Sequence, residues 1–130
     1  MDKKELKKIK LVLKSLPKIK LAYFFGSRAA GKSGSLSDYD FALYLNEKDK
    51  KKMLELKFVL LDKISRILKT DAIDIVILNL SESPELNYQI IKEGKLIFER
   101  APFRVIVEPM ILNRYFDFHD LLLRHKLTKN

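Results

Sequence analysis

The sequence predicts an α+β fold, a small mixed β-sheet with helices packed on one face. Two observations predict it. Short segments over residues 19–25, 38–45, 73–78 and 95–98 have the period-two or branched-chain character of strands. Around them run longer stretches whose apolar residues recur at helical spacing. No internal repeat and no long polar or Pro/Gly/Ser-rich tract divides the 130 residues, so one domain with a single core is expected.

The elements follow in order. Leu6, Ile9, Leu13 and Leu16 between lysines make an amphipathic first helix over residues 3–16, closed by Pro17. In the next segment Ile19, Leu21, Tyr23 and Phe25 alternate with Lys20, Ala22 and Phe24, the pattern of a strand. Residues 26–37 are rich in Gly and Ser and form a functional loop with one helical turn at Arg28 to Gly31. A second strand occupies 38–45. Asn46 can cap a long helix to Lys69, with Met53, Leu54, Phe58, Leu61, Ile64 and Leu68 as its buried stripe. Ile73 to Leu78 is the third strand. The Ser83-Pro84 pair starts a short helix that Gly94 ends, and Lys95 to Phe98 is the fourth strand. From Phe103 onward helical spacing returns, with Pro109 expected to kink or split the helix.

Composition narrows the chemistry. With no cysteine there is no disulfide, thiolate zinc site or cysteine nucleophile, so a metal must be held by oxygen or imidazole, and oxygen suits magnesium. No segment has the ~20 apolar residues needed to cross a bilayer, and the lysine-rich start lacks a signal peptide's apolar core. A cytoplasmic location without membrane contact is expected. The net charge of +9 favours polyanions in general. The lysines of the first helix lack interleaved aromatics and read as a solvated face, so direct nucleic-acid binding is not expected.

One stretch carries chemistry. Gly26-Ser27 ends an apolar strand, and Ser37-Asp38-Tyr39-Asp40 opens the next. Residues two apart on a strand share a face, so the carboxylates of Asp38 and Asp40 project side by side. Unless a cation intervenes, such a pair repels and one member protonates. Should the third strand lie alongside, Asp74 joins them; Asp71 competes, but sits before the strand where a turn carboxylate is ordinary. Three carboxylates can hold two magnesium ions roughly 3.5 to 4 Å apart, the arrangement used for in-line phosphoryl displacement. On the substrate side, Gly26 lets backbone approach a polyphosphate, Ser27 and Ser37 offer hydroxyls, and Arg28 and Lys32 add positive charge.

At these residues, GSRAAGKSGSLSDYDFALYL, the chain resembles the DNA polymerase beta superfamily of nucleotidyltransferases, whose signature is Gly-Ser, about ten residues, then Asp-x-Asp. The runs AIDIVILNL and SPELNYQIIKEGKLIFER look like its minimal nucleotidyltransferase (MNT) group, and NRYFDFHDLL is similar to the end of MNT antitoxins that pair with HEPN toxins. The resemblance implies a polymerase beta palm-like fold, a nucleotidyltransferase domain over residues 1–100 and a helical, partner-binding tail over 101–130. It implies that Asp38 and Asp40 bind both metals, that Asp74 binds one and helps activate the incoming hydroxyl, and that Gly26 and Ser27 hold the triphosphate. It further implies ATP as donor and a tyrosine hydroxyl of a HEPN toxin as acceptor. Many relatives carry a second loop arginine where this chain has Ala30, a loss of charge that weakens ATP binding unless Lys32 compensates. Two other readings are a non-catalytic antitoxin module and transfer to a small molecule or RNA. Homo- and hetero-oligomers are both compatible with the sequence. His119 and His125 read as surface or packing residues, and Tyr115, Phe116 and Phe118 as a partner-binding surface.

Overall fold

The computed structural model describes residues 1–31 and 38–125. Its elements are α1 (Lys3–Ser15), β1 (Ile19–Phe25), α2 (Gly26–Ala29), β2 (Tyr39–Leu45), α3 (Lys50–Leu68), β3 (Ile73–Ile77), α4 (Pro84–Glu93), β4 (Lys95–Glu99) and α5 (Phe103–Arg124). The strands form one mixed sheet in the order β3-β2-β1-β4. β1 pairs antiparallel with β2 and β4, and β2 pairs parallel with β3 through the long α3 crossover.

The mixed α+β sheet is as expected, but its helices cover both faces. Ala22 and Phe24 of β1 join Phe41, Leu43, Ile75 and Ile77 in a core that includes Ile9 and Leu13 of α1 and Leu60 and Ile64 of α3. On the other face Leu21, Tyr23, Ala42 and Leu78 pack with Ile90 of α4 and Val107 and Ile111 of α5. The reason is legible in β1, where both alternating sets are apolar, so that neither face can be left to water. A register shift between Ile19 and Leu21 also turns Ile19 onto the α1/α3 side, away from the set its spacing predicts.

One helix boundary and two residues within helices differ in instructive ways. Asp49, not Asn46, caps α3, accepting the Lys51 N–H at 2.9 Å. Phe58 is 65% exposed, because Met53, Leu60, Ile64 and Leu68 set the buried line and Phe58 falls on the opposite side of the helix. Pro109 lies inside an unbroken α5. It is exposed, as is Val105 one turn earlier, whose carbonyl loses its helical donor at that proline.

Candidate active site

β1 delivers the chain to Phe25, and Gly26 turns it at once into the single turn of α2, which starts two residues earlier than its composition suggests. Gly26 has φ +83, a left-handed conformation that side chains disfavour. A Cβ there would lie 2.2 Å from Asp40 Oδ2, so glycine is required twice over, by backbone angle and by the carboxylate packed against it. That contact follows from register, because Phe25 is the Cα partner of Asp40 across the antiparallel ladder.

The parallel ladder does the rest. Asp40 is the register partner of Asp74. Both stand on the α4/α5 side of the sheet, since Tyr39, Phe41, Ile73 and Ile75 take the other side. Asp71 precedes β3 and has no place in this ladder. Asp38 is exposed, one residue before β2. Burial pushes the Asp40 carboxyl above its ordinary range, and the negative charges of Asp74 and then Asp38 push it further. Among the described residues no group of three or more His, Asp or Glu side chains is closed into a metal-holding cluster. The register therefore gathers two carboxylates, with the third close enough to be felt electrostatically. The donor set fits magnesium in kind: hard oxygens whose mutual repulsion a divalent cation relieves.

On the substrate side, Ser27 is exposed in the first turn of α2. Arg28 behaves differently from the simple expectation, for its guanidinium lies 4.1 Å from the centroid of the Tyr39 ring, a cation–π stack that ties α2 to the start of β2. Lys32 and Ser37 lie outside the described residues.

Sequence reasoning missed one wall of the site. Leu86, Gln89 and Glu93 of α4 face Phe25, Gly26, Ser27 and Ala30 across a cavity of about 320 Å³, the size of a small-ligand pocket. No local signal marks these residues, since α4 reads simply as a short amphipathic helix and only its packing brings it here. Ala30 contributes a small side chain to this wall where an arginine was the alternative. His119 stacks on Tyr115, with ring centroids 6.0 Å apart, in an aromatic group with Tyr88 and Phe116 that joins α4 to α5.

Comparison with known proteins identifies the family and the fold. The family described as polymerase beta, nucleotidyltransferase matches residues 7–103. No curated protein matches closely enough to count. Among solved structures, a toxin–antitoxin complex with AMP-PNP contains a chain 26% identical, with TM-score 0.72 over 92% of this chain and 93% of that one. A mutant MntA toxin–antitoxin complex with two aspartates changed to glutamate gives 25% identity and the same TM-score and coverage. The fold is shared again at 23% identity and TM-score 0.69, over 95% of this chain and 94% of that one, in a Shewanella oneidensis complex of a tri-AMPylated HEPN toxin with its MNT antitoxin. No helix among the described residues is long and apolar enough to cross a membrane. With the family match spanning most of the chain and the Gly26, Asp40 and Asp74 constellation in register, the chain belongs to the polymerase beta nucleotidyltransferase family and resembles, over nearly its whole length, the MNT antitoxins of toxin–antitoxin systems.

Proposed function

We propose that the chain is a cytoplasmic, magnesium-dependent adenylyltransferase that moves AMP from ATP to a tyrosine hydroxyl of a HEPN-family toxin and thereby neutralises it. The observation that carries this reading is the pairing of Asp40 with Asp74 opposite the Gly26-Ser27 turn. It is supported by the likeness to antitoxin chains, one of them in a structure with AMP-PNP.

In this reading Asp38, Asp40 and Asp74 hold two magnesium ions, which supply charge neutralisation at the reacting phosphate. The Gly26 backbone lies against the triphosphate because no side chain intervenes, and Ser27 donates its hydroxyl and N–H to phosphate oxygens. Arg28, Lys32 and Ser37 complete the nucleotide contacts, with the Tyr39 stack fixing the Arg28 guanidinium. The nucleoside occupies the cavity between α2 and α4. The tyrosine oxygen forms a bond to the α-phosphorus, the bond from that phosphorus to pyrophosphate breaks, and Asp74 accepts the phenolic proton. Exposure favours Asp74 for that task, because it stands open to an incoming acceptor while Asp40 is half-buried.

Incubating the chain with magnesium, ATP labelled on its α-phosphate and the protein encoded next to it should label that neighbour. Asp38→Asn combined with Asp40→Asn should reduce labelling by at least about a thousandfold, the scale of losing metal-centred phosphoryl catalysis. An intact protein that labels nothing from any NTP overturns the proposal. A second reading, neutralisation by occlusion alone, is favoured by the exposed apolar residues of α5, among them Phe116, Leu121 and Leu123. It requires that the aspartate variants still protect cells from the toxin.

A further inference from the structure

Asp74 opens onto more of the surface than the nucleotide occupies. β3 is an outer strand of the sheet, so one flank of Asp74 has no neighbouring strand among the described residues. A groove of about 310 Å³ runs along that flank, lined by Asp74, Val76 and Ile77 of β3, by Leu54 and Lys57 of α3, and by Ser81. Leu80 and Ser81, which both line this groove, also line a cleft of about 470 Å³ with Lys50, Glu82 and Arg114. Through these two shared residues the hollows form one furrow that leads from the carboxylate to the cleft.

The strand sets the length of the furrow. β3 continues three residues past Asp74, through Ile77, a rise of about 10 Å, before the turn at residues 78–80 opens the cleft. An extended polypeptide therefore covers the distance with about three to five residues.

The chemistry of the walls changes along the way. Beside the strand they are aliphatic, from Leu54, Val76, Ile77 and Leu80. At the far end Lys50 and Arg114 are exposed, and neither they nor Lys57 form an ion pair among the described residues. Glu82 stands against them, also exposed, which leaves the cleft with an excess of positive charge. Glu47, in the adjoining hollow, accepts the Lys48 and Asp49 N–H groups and lies 4.0 Å from Lys18. Charge at the rim of a contact selects and orients a partner more than it tightens it.

We propose that this furrow seats the acceptor as an extended segment of the partner protein. The segment places its tyrosine at Asp74, lays apolar side chains along β3 and sets a carboxylate, about three to five residues from the tyrosine, against Arg114 and Lys50. This seat rests on the transfer proposed above and adds what selects the acceptor.

Lys50→Glu with Arg114→Glu tests the far end, because both side chains are exposed and lie beyond the end of β3. With the protein encoded next to the chain as acceptor, its KM should rise at least about tenfold, the value of one charge-assisted contact. Meanwhile kcat and the calorimetric Kd for ATP should stay within about twofold. An unchanged KM, or a loss carried by kcat, overturns the proposal. A second measurement needs no turnover. With benzoylphenylalanine in place of Glu82, an exposed residue of the cleft, light should crosslink the chain to that protein within about five residues of the labelled tyrosine. Crosslinks far from any tyrosine, crosslinks only to a second copy of this chain, or none at all overturn the proposal. A chain that labels nothing yet crosslinks beside a tyrosine loses the transfer and keeps the seat; labelling without that crosslink keeps the transfer and loses the seat.

Discussion

Asp40 concentrates the conflict between stability and chemistry in one side chain. Its carboxyl is half-buried and faces two other carboxylates, and its pKa is raised above the ordinary value of 3.8. Between that value and the raised one, the folded protein binds more protons than the unfolded chain. Stability therefore falls as pH rises through this window and stays lowered at neutral pH. Asp40→Asn removes the penalty. In chelator-containing buffer its melting temperature should exceed that of the parent at pH 7, with the gap closing below about pH 4. A variant less stable than the parent at pH 7 would show that the carboxylate is satisfied rather than strained. Gly26 completes the same local bargain, since only the absence of a side chain there leaves room for the Asp40 carboxylate.

At the scale of elements, what positions the site is how α4 and α5 are fastened to the sheet. Tyr23, 1% exposed in the central strand, donates its hydroxyl to Glu108 Oε2 on α5, and Arg104 lies 3.3 Å from the same carboxylate. Burial and the neighbouring carboxylate raise the Tyr23 pKa so far that it stays a donor at any working pH. Val107 and Ile111 bury themselves beside it, and Tyr88 stacks on Tyr115 at a centroid distance of 3.9 Å to join α4 with α5. Glu108→Ala leaves the phenol hydroxyl buried without an acceptor and should cost about 1–3 kcal/mol in urea unfolding. Tyr23→Phe with Glu108→Ala should recover part of that loss, because the pair is then removed together. If the double variant is as unstable as the sum of the singles, the bond contributes nothing as a pair.

For the whole molecule, the apolar surface divides into a part used internally and a part left over. Val107 and Ile111 of α5 fill the second core. Farther along, Phe116, Leu121 and Leu123 are between 40% and 55% exposed, and in the first turn of the same helix Val105 and Ile106 are 73% and 57% exposed. Single exposed apolar side chains are ordinary, but Val105, Phe116 and Leu123 fall within about 20° of one line along α5, and such a row fits a contact surface. Val105→Ala with Leu123→Ala should leave the melting temperature within about 2 °C of the parent, because both side chains are exposed and neither belongs to the aromatic group that joins α4 to α5. The same variant should weaken capture of the HEPN partner at least tenfold in a calorimetric titration. Unchanged affinity would place the partner elsewhere on the surface.

The sequence by itself determined the parts of this protein that depend on local pattern. Strand alternation and helical spacing located every strand and long helix to within a few residues, and Ser83-Pro84 and Gly94 bounded α4 correctly. The Gly-Ser to Asp-x-Asp block marked the family, because the chemistry needs those residue types at that spacing along adjacent strands. Only tertiary structure decided what comes from far along the chain. The parallel register set Asp74, and not Asp71, opposite Asp40. Packing brought Leu86, Gln89 and Glu93 to the Gly26 turn, and turned Phe58 to solvent. It also put helices on both faces of the sheet where one was expected, since a strand with two apolar faces is covered by whichever helices the connections can deliver. Local pattern fixes what an element is; which elements meet depends on the burial of surfaces that no single stretch of sequence contains.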